Sequence, residues 1–576
     1  VGWYNPPDCS FNRVTFNFTV TSAGRQFDRL GLMFLDDTEV FRTSTAEPTQ
    51  SGIIWSYIKD MSGYLALFKT SQKIIFDLGN IVDDTYTGSW NTTLIATYFT
   101  ADDAIEPADV IIPISARRSG EDASSAFIVP ETRAINSVVL PKNARKAAFS
   151  ISACGQAAEE FWWSNVLSSD TNTFGNDTTL YGHSPFREIR LLIDGSLAGV
   201  AWPFPVIFTG GIVPGFWRPI VGIDAFDLRE DEIDITPFIP LISDGQPHSF
   251  EIQVVGIDDD GHGNGNLTTT IESNWVVTGK IFVWLNATNN RLAGTSPTSS
   301  SSYTVTLKSS KQEHSNSSED ISLDYSIQVT RSVEIQSIFD TPTGLKAVTW
   351  TQELTFSNVG TLSNNGNNQI VRQATTGTHA TSSGYAKGFE YPLWVKSSYN
   401  AQSGGNVSID ASMERGKKVQ QQGDLAFPND WKTFDYTQLG WMSYSNRTFL
   451  GSDVNNWQNG TAFYLSVPAL KKSFGSGSTE QRLTLSGVHS GHPSTGSQDA
   501  QPGHGLPYQE LYHRHIVAAN DSIVYDDESF GGQVRGQSTF TAPNQQGSQD
   551  GARDFATPGV RAMLGRGPNV SDEKQS

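Results

Sequence analysis

Hydrophobic and polar positions alternate with a period of two along much of this chain. Val14, Phe16, Phe18 and Val20 are separated by Thr15, Asn17 and Thr19. Thr93-Leu94-Ile95-Ala96-Thr97-Tyr98-Phe99 and Phe250-Glu251-Ile252-Gln253-Val254-Val255 are similar short runs rich in β-branched and aromatic residues. Gly, Asn, Asp and Pro punctuate these runs, and long helical periodicity is scarce. The pattern predicts half-buried antiparallel strands, and many such strands between turns predict sandwiches or jelly rolls.

A local pattern occurs twice. Asp60-Met61-Ser62-Gly63-Tyr64-Leu65-Ala66-Leu67 matches Asp234-Ile235-Thr236-Pro237-Phe238-Ile239-Pro240-Leu241 as Asp-x-Ser/Thr-x-aromatic-x-x-Leu. It reads as a capped single turn whose Asp or hydroxyl satisfies free backbone N–H groups, while the aromatic and Leu plug a sandwich end. Upstream, Phe34-Leu35-Asp36-Asp37-Thr38 parallels Leu192-Ile193-Asp194-Gly195-Ser196 as a strand entering a turn. Two related β-domains are the simplest account. The expected divisions are a first domain over 1–114, a charged connector over 115–137, a second domain over 138–286, a Ser/Thr-rich linker over 287–320, and a β-rich region over 321–576 with a polar tail.

Composition narrows the class. The chain has 576 residues, enough for several domains, and 14 Trp, which suit sandwich cores and sugar-stacking surfaces alike. A net charge of −20 is opposite to that of a general nucleic-acid binder. The only two cysteines, Cys9 and Cys154, allow one disulfide at most. No HExxH or zinc-finger spacing is present, and no apolar run is long enough to span a bilayer. Asn-x-Ser/Thr sequons spread from Asn17 and Asn91 to Asn520 and Asn569. They point to a secreted, glycosylated protein, read here as a mature product whose signal peptide is absent from the sequence.

Nucleophile-elbow, P-loop and dinucleotide signatures are absent, which leaves carboxylate chemistry, the usual means of acting on sugars and their linkages. Acids stand beside aromatics or Arg in four places: around Asp28, from Asp36 to Glu47, at Asp77 and at Glu159-Glu160-Phe161-Trp162-Trp163. The last is the place where apolar walls would raise a carboxyl pKa. Taken singly, each acid is more readily explained as a structural ion pair or a solvated carboxylate.

Several motifs together resemble the peptide-N-glycosidase A family of fungi and plants: Gly24-Arg25-Gln26-Phe27-Asp28-Arg29, Arg42-Thr43-Ser44-Thr45-Ala46-Glu47-Pro48, Lys59-Asp60-Met61, Glu159-Glu160-Phe161-Trp162 and Phe216-Trp217-Arg218-Pro219. A more distant likeness reaches the bacterial peptide-N-glycosidase F type through Phe27-Asp28-Arg29, the acid Asp77 and Leu140-Pro141-Lys142-Asn143-Ala144-Arg145-Lys146-Ala147. The departures are Phe27 in place of Trp, Asp77 in place of Glu, and Glu159 competing with Glu160 for one position.

The resemblance implies an all-β fold of two adjacent jelly-roll β-sandwich domains followed by an additional β-rich C-terminal region. It also implies a hydrolase that cleaves the amide between an Asn side chain and the innermost GlcNAc of N-glycans, leaving Asp and a glycosylamine. An endo-β-N-acetylglucosaminidase and a non-catalytic lectin are the alternatives. Asp28 is the expected primary acid or base, Glu160 the partner from the second domain, and Asp77 a further carboxylate. Arg29, Glu47, Trp162, Trp202, Trp217 and Arg218 are expected on the substrate side. Arg29 would tune Asp28 or support its strand, and both sugar stacking and core packing stay open for each Trp. The implied enzyme needs no metal or cofactor, acts as a monomer on N-glycosylated peptides and glycoproteins at acidic pH, and binds neither nucleic acid nor membrane.

Overall fold

The computed structural model describes residues 1–550 except 85, 102–105, 176–177, 289, 314–320, 439–448, 471, 490–507 and 540–546. It is almost entirely antiparallel β. In the first sandwich, Gly2–Tyr4, Gln72–Leu78, Leu30–Leu35 and Thr38–Ser44 form one sheet. Ile53–Asp60, Arg13–Ser22 and Asn91–Phe99 form the other. The alternation in Arg13–Ser22 turns Val14, Phe16, Phe18 and Val20 into the core. In the second sandwich, a sheet centred on His248–Asp259 and Glu188–Ile193 accompanies one centred on Ala144–Gln156 and Asn274–Leu285.

The duplicated pattern folds in matching ways. Asp60 Oδ1 accepts the Ser62 N–H at 2.8 Å, and Asp234 Oδ1 accepts the Thr236 N–H at 2.9 Å, each opening a 3-10 turn. Tyr64 and Phe238 are buried in these turns. The upstream hairpins correspond as well. Asp36 and Asp194 both have positive φ, and their Oδ1 atoms accept the N–H groups of Lys73 and Ser249 at 2.9 and 2.8 Å. Asn and Asp tolerate this left-handed geometry better than most residues, so the short carboxylate is suited to pinning the next strand there.

Buried charges join the two sandwiches. Arg42 binds Glu39 at 2.8 Å within the first sandwich and reaches the Val276 carbonyl in the second at 2.8 Å. Lys280 of the second sandwich donates to the Glu39 carbonyl at 3.0 Å, and Lys59 of the first pairs with Asp227 at 2.7 Å. Removing one partner from such a pair strands its mate in a poorly solvated interior, so this network fixes how the sandwiches meet.

Val110–Ile114 pairs with Asn274–Leu285, so the second sandwich's sheet recruits chain from before residue 114. Phe127–Val129, within the expected connector, also pairs with Asn274–Leu285, and Ala134–Val138, at the connector's end, pairs with His248–Asp259 in the opposite sheet. The Ser/Thr-rich stretch expected as a linker contains the strand Thr298–Glu313, which pairs along its length with Ile321–Thr341. Its side chains are mostly exposed, which gives it the composition of a linker. The neighbouring strand supplies the backbone partners that make it an edge strand. From there, long strands meander into a sheet that has 13 strands among the described residues.

One face of that sheet docks on the second sandwich through buried polar side chains that reach backbone carbonyls. Gln352 binds Val200 O at 2.7 Å, Asn358 binds Trp163 O at 2.9 Å, Gln369 binds Ser164 O at 2.9 Å and Arg415 binds Pro205 O at 3.0 Å. Cys9 is exposed, Cys154 is buried, and both are free thiols. The tail beyond 550 lies outside the described residues. Among the described residues no helix is long and apolar enough to cross a membrane.

Candidate active site

Thr45 brings together three distant pieces of chain. Its N–H donates to Arg29 O at 3.0 Å, its hydroxyl accepts the Arg29 N–H at 2.8 Å, and its carbonyl accepts the Thr209 hydroxyl at 2.6 Å. Asp28 precedes Arg29, Glu47 lies two residues past Thr45, and Gly210 follows Thr209, so these bonds place Asp28, Glu47 and Gly210 side by side. The two carboxyls press close against the Gly210 backbone. A Cβ at position 210 would clash with Glu47 Oε1 and lie 2.6 Å from Asp28 Oδ1. Glu160 enters from the second sandwich, just after the 3-10 turn Ala157–Glu159.

These three carboxyls share one electrostatic environment. Burial pushes Asp28 up to about 6, opposed by its own N–H, the Arg29 charge and the Gly210 N–H. Burial and then the Asp28 charge push Glu47 up to about 8, opposed by Arg218 and Arg25. Burial, Asp28 and Glu47 hold Glu160 well above the carboxylate range. The Asp28 charge opposes ionisation of both Glu47 and Glu160, so the cluster holds on to protons that isolated carboxyls would lose. Asp28 ionises first, because it alone has N–H groups aimed at its anion. Glu47 lies 3.7 Å from Arg218, and its buried Oε1 has no hydrogen-bond partner among the described residues.

The environment of Asp28 is aromatic and cationic. Phe27 packs edge-on against Tyr86 at 5.2 Å, and the Arg29 guanidinium lies 5.4 Å from the Tyr86 ring centroid. Arg29 also binds Gln26 Oε1 at 2.9 Å, so it both supports this segment and tunes Asp28. Glu160 lines a cavity of about 190 Å³ with Trp162, Trp275, Cys154 and Phe208.

Glu159 has a separate role. It is fully buried, with Arg187 gripping both carboxylate oxygens at 2.6 Å and Trp275 Nε1 donating at 2.7 Å. Although burial opposes its charge, these partners lower its pKa overall.

The three tryptophans are all buried. Trp162 borders the cavity beside Glu160. Trp202 packs on Phe186 and Phe356 and donates to Glu188 at 3.0 Å. Trp217 donates to Gly211 O at 2.7 Å, bracing the residue after Gly210. Asp77 is exposed on Gln72–Leu78 opposite Leu32 and is not among the charges acting on the three carboxyls.

Sequence reasoning missed Thr45, Thr209, Gly210 and Tyr86 as parts of this site. The adjacent Gly210-Gly211 pair was the one local signal of a close backbone approach. Among the described residues no group of three or more His, Cys, Asp or Glu is arranged to hold a metal ion.

A family described as "Peptide N-acetyl-beta-D-glucosaminyl asparaginase amidase A" matches residues 1–302, more than half the chain, and the C-terminal domain of the same family matches residues 324–393. The chain is 29% identical over 455 residues to a Prunus dulcis protein named peptide-N4-(N-acetyl-beta-glucosaminyl)asparagine amidase A, covering 74% of this chain and 76% of that protein. No solved structure matches it significantly. This chain belongs to the peptide N-acetyl-β-D-glucosaminyl asparaginase amidase A family.

Proposed function

We propose that this protein hydrolyses the amide bond between an Asn side chain and the innermost GlcNAc of N-glycans. The observation that carries this reading is the placement of Asp28 and Glu47 together against Gly210, with Glu160 electrostatically coupled to both, on a chain of this family. An amide is a poor electrophile, so hydrolysis needs a base for water and an acid for the departing nitrogen. Asp28, the first to ionise, takes the proton of the attacking water. Water oxygen bonds to the Asn side-chain carbonyl carbon, and neutral Glu160 donates its proton to the glycosyl nitrogen as the carbon–nitrogen bond breaks. Glu47 stays protonated beside Asp28, and its unpaired buried oxygen marks a place for a hydrogen bond from substrate or water.

The products are an Asp-containing peptide and a glycosylamine, which then loses ammonia in water. Asp77 lies outside this assignment, and Arg218 acts through Glu47. The two sandwiches are proposed to be jelly rolls. The exposed sequon asparagines Asn91 and Asn266 support a secreted glycoprotein.

A defined glycopeptide separates the alternatives. The expected product is a peptide with Asp at the former glycosylation site. A peptide retaining one GlcNAc on Asn would make the protein an endoglycosidase, and a bound but intact glycopeptide would make it a lectin.

A further inference from the structure

The C-terminal sheet touches the turn that carries Arg218. Gly215 and Gly477 meet backbone to backbone. A Cβ on Gly477 would lie 2.7 Å from the Gly215 carbonyl carbon, and one on Gly215 would lie 2.8 Å from Ser476 O. Thr479 donates its hydroxyl to Phe216 O at 2.6 Å, and Gln458 donates to Val221 O at 3.0 Å. Phe216 is fully buried beside Gly460, where a Cβ would lie 3.0 Å from its ring.

The sheet thus grips residues 215, 216 and 221, on both sides of Arg218. Within that grip, Trp217 holds Gly211 O at 2.7 Å, and Arg218 faces Glu47 at 3.7 Å. Tyr464 of the same sheet shares a small crevice with Arg218, and Arg25 and Glu47 both act electrostatically on it.

We propose that the strand pair Phe449–Val467 and Lys472–His489 is a positioning element of the active site, in which Gly477 and Thr479 set the 214–222 turn and hence place Gly210 against Asp28 and Arg218 against Glu47. This inference rests on the amidase reading above. It gives the C-terminal region a part in the reaction that neither sandwich performs alone. Displacements of about 1 Å at a reacting centre can lower rates by about a hundredfold, and the Gly215–Gly477 contact leaves no room for a methyl group without such a shift. A plain packing contact would instead contribute stability and leave the titration of the carboxyls unchanged.

The test compares full-length wild type, Gly477→Ala, Thr479→Val and Thr479→Ser by kcat, KM, pH profile and thermal melting on one glycopeptide. Gly477→Ala and Thr479→Val are expected to lower kcat about tenfold or more. They should also move the basic limb of the profile to higher pH, because Arg218 withdraws from Glu47. Thr479→Ser, which keeps the hydroxyl, should restore both quantities. If Gly477→Ala fails to fold, the Thr479 pair decides. Variants with wild-type kcat and wild-type pH limbs would overturn the inference, whatever happens to the melting temperature. An inactive wild-type protein would instead remove the amidase reading and this inference with it, a result visible before any variant is compared.

Discussion

Glu159 and Glu160 are neighbours in the chain and opposite in state. Arg187 and Trp275 hold Glu159 as a buried carboxylate, whereas burial, then Asp28 and Glu47, oppose the ionisation of Glu160. One forms part of the protein's framework and the other is placed for chemistry. Replacing each with Gln should separate these roles. Glu159→Gln removes half of a buried ion pair and should cost about 3–5 kcal/mol of stability, while Glu160→Gln should melt near wild type and lose activity. Thermal melting and turnover on the same preparations check both outcomes.

Asp28→Asn removes the base and should lower turnover about 10²- to 10⁴-fold in a folded protein. Asp77→Asn, exposed and apart from the cluster, should retain most activity. Comparable losses in the two variants would bring Asp77 back into the chemistry.

The pH profile follows from the order of ionisation. Activity needs Asp28 ionised and the cluster's remaining protons in place, so kcat/KM should rise through about 6 and fall above about 8. The limbs belong to the cluster as a whole. This places the optimum nearer neutrality than the acidic pH expected from a carboxyl that must keep its proton. A profile that is flat between these values and their flanks would mean that these carboxyls do not control the rate.

Stability should move in the opposite direction from function. Glu47 titrates near 4.3 when unfolded and at about 8 when folded. The folded state therefore holds the extra proton, and stability present below the unfolded value is lost as pH rises towards about 8. Glu47→Gln should stabilise the protein at pH 8 by on the order of a few kcal/mol and have little effect near pH 4, while activity falls. Melting curves at the two pH values read the sign directly.

Gly210→Ala places a methyl group against Asp28 and Glu47. It should lower both activity and melting temperature. Full activity in this variant would mean that the two carboxyls are not crowded against that backbone.

Much of the fold was legible because its signals are local. The period-two alternation of Val14 to Val20 marks a strand, and the Asp60 and Asp234 turns satisfy nearby N–H groups, so short windows sufficed. The strand Thr298–Glu313 was not legible, because its identity lies in the partner strand Ile321–Thr341. Within the site, the resemblance pointed to Asp28 and Glu160 and placed Glu47 and Arg218 on the substrate side. The role of Gly210 depends on an approach by residues more than 160 positions earlier, which no local pattern records. The tryptophans illustrate the same limit: composition counts aromatic rings, and only tertiary contacts show that Trp202 and Trp217 are buried braces.

The most direct test of the central claim is mass spectrometry of a glycopeptide treated with this protein in heavy-oxygen water. Wild type is expected to give Asp carrying one heavy oxygen at the former glycosylation site, and Asp28→Asn to leave the substrate unconverted under the same conditions. Asn still bearing GlcNAc, or labelled Asp formed equally well by Asp28→Asn, would contradict it.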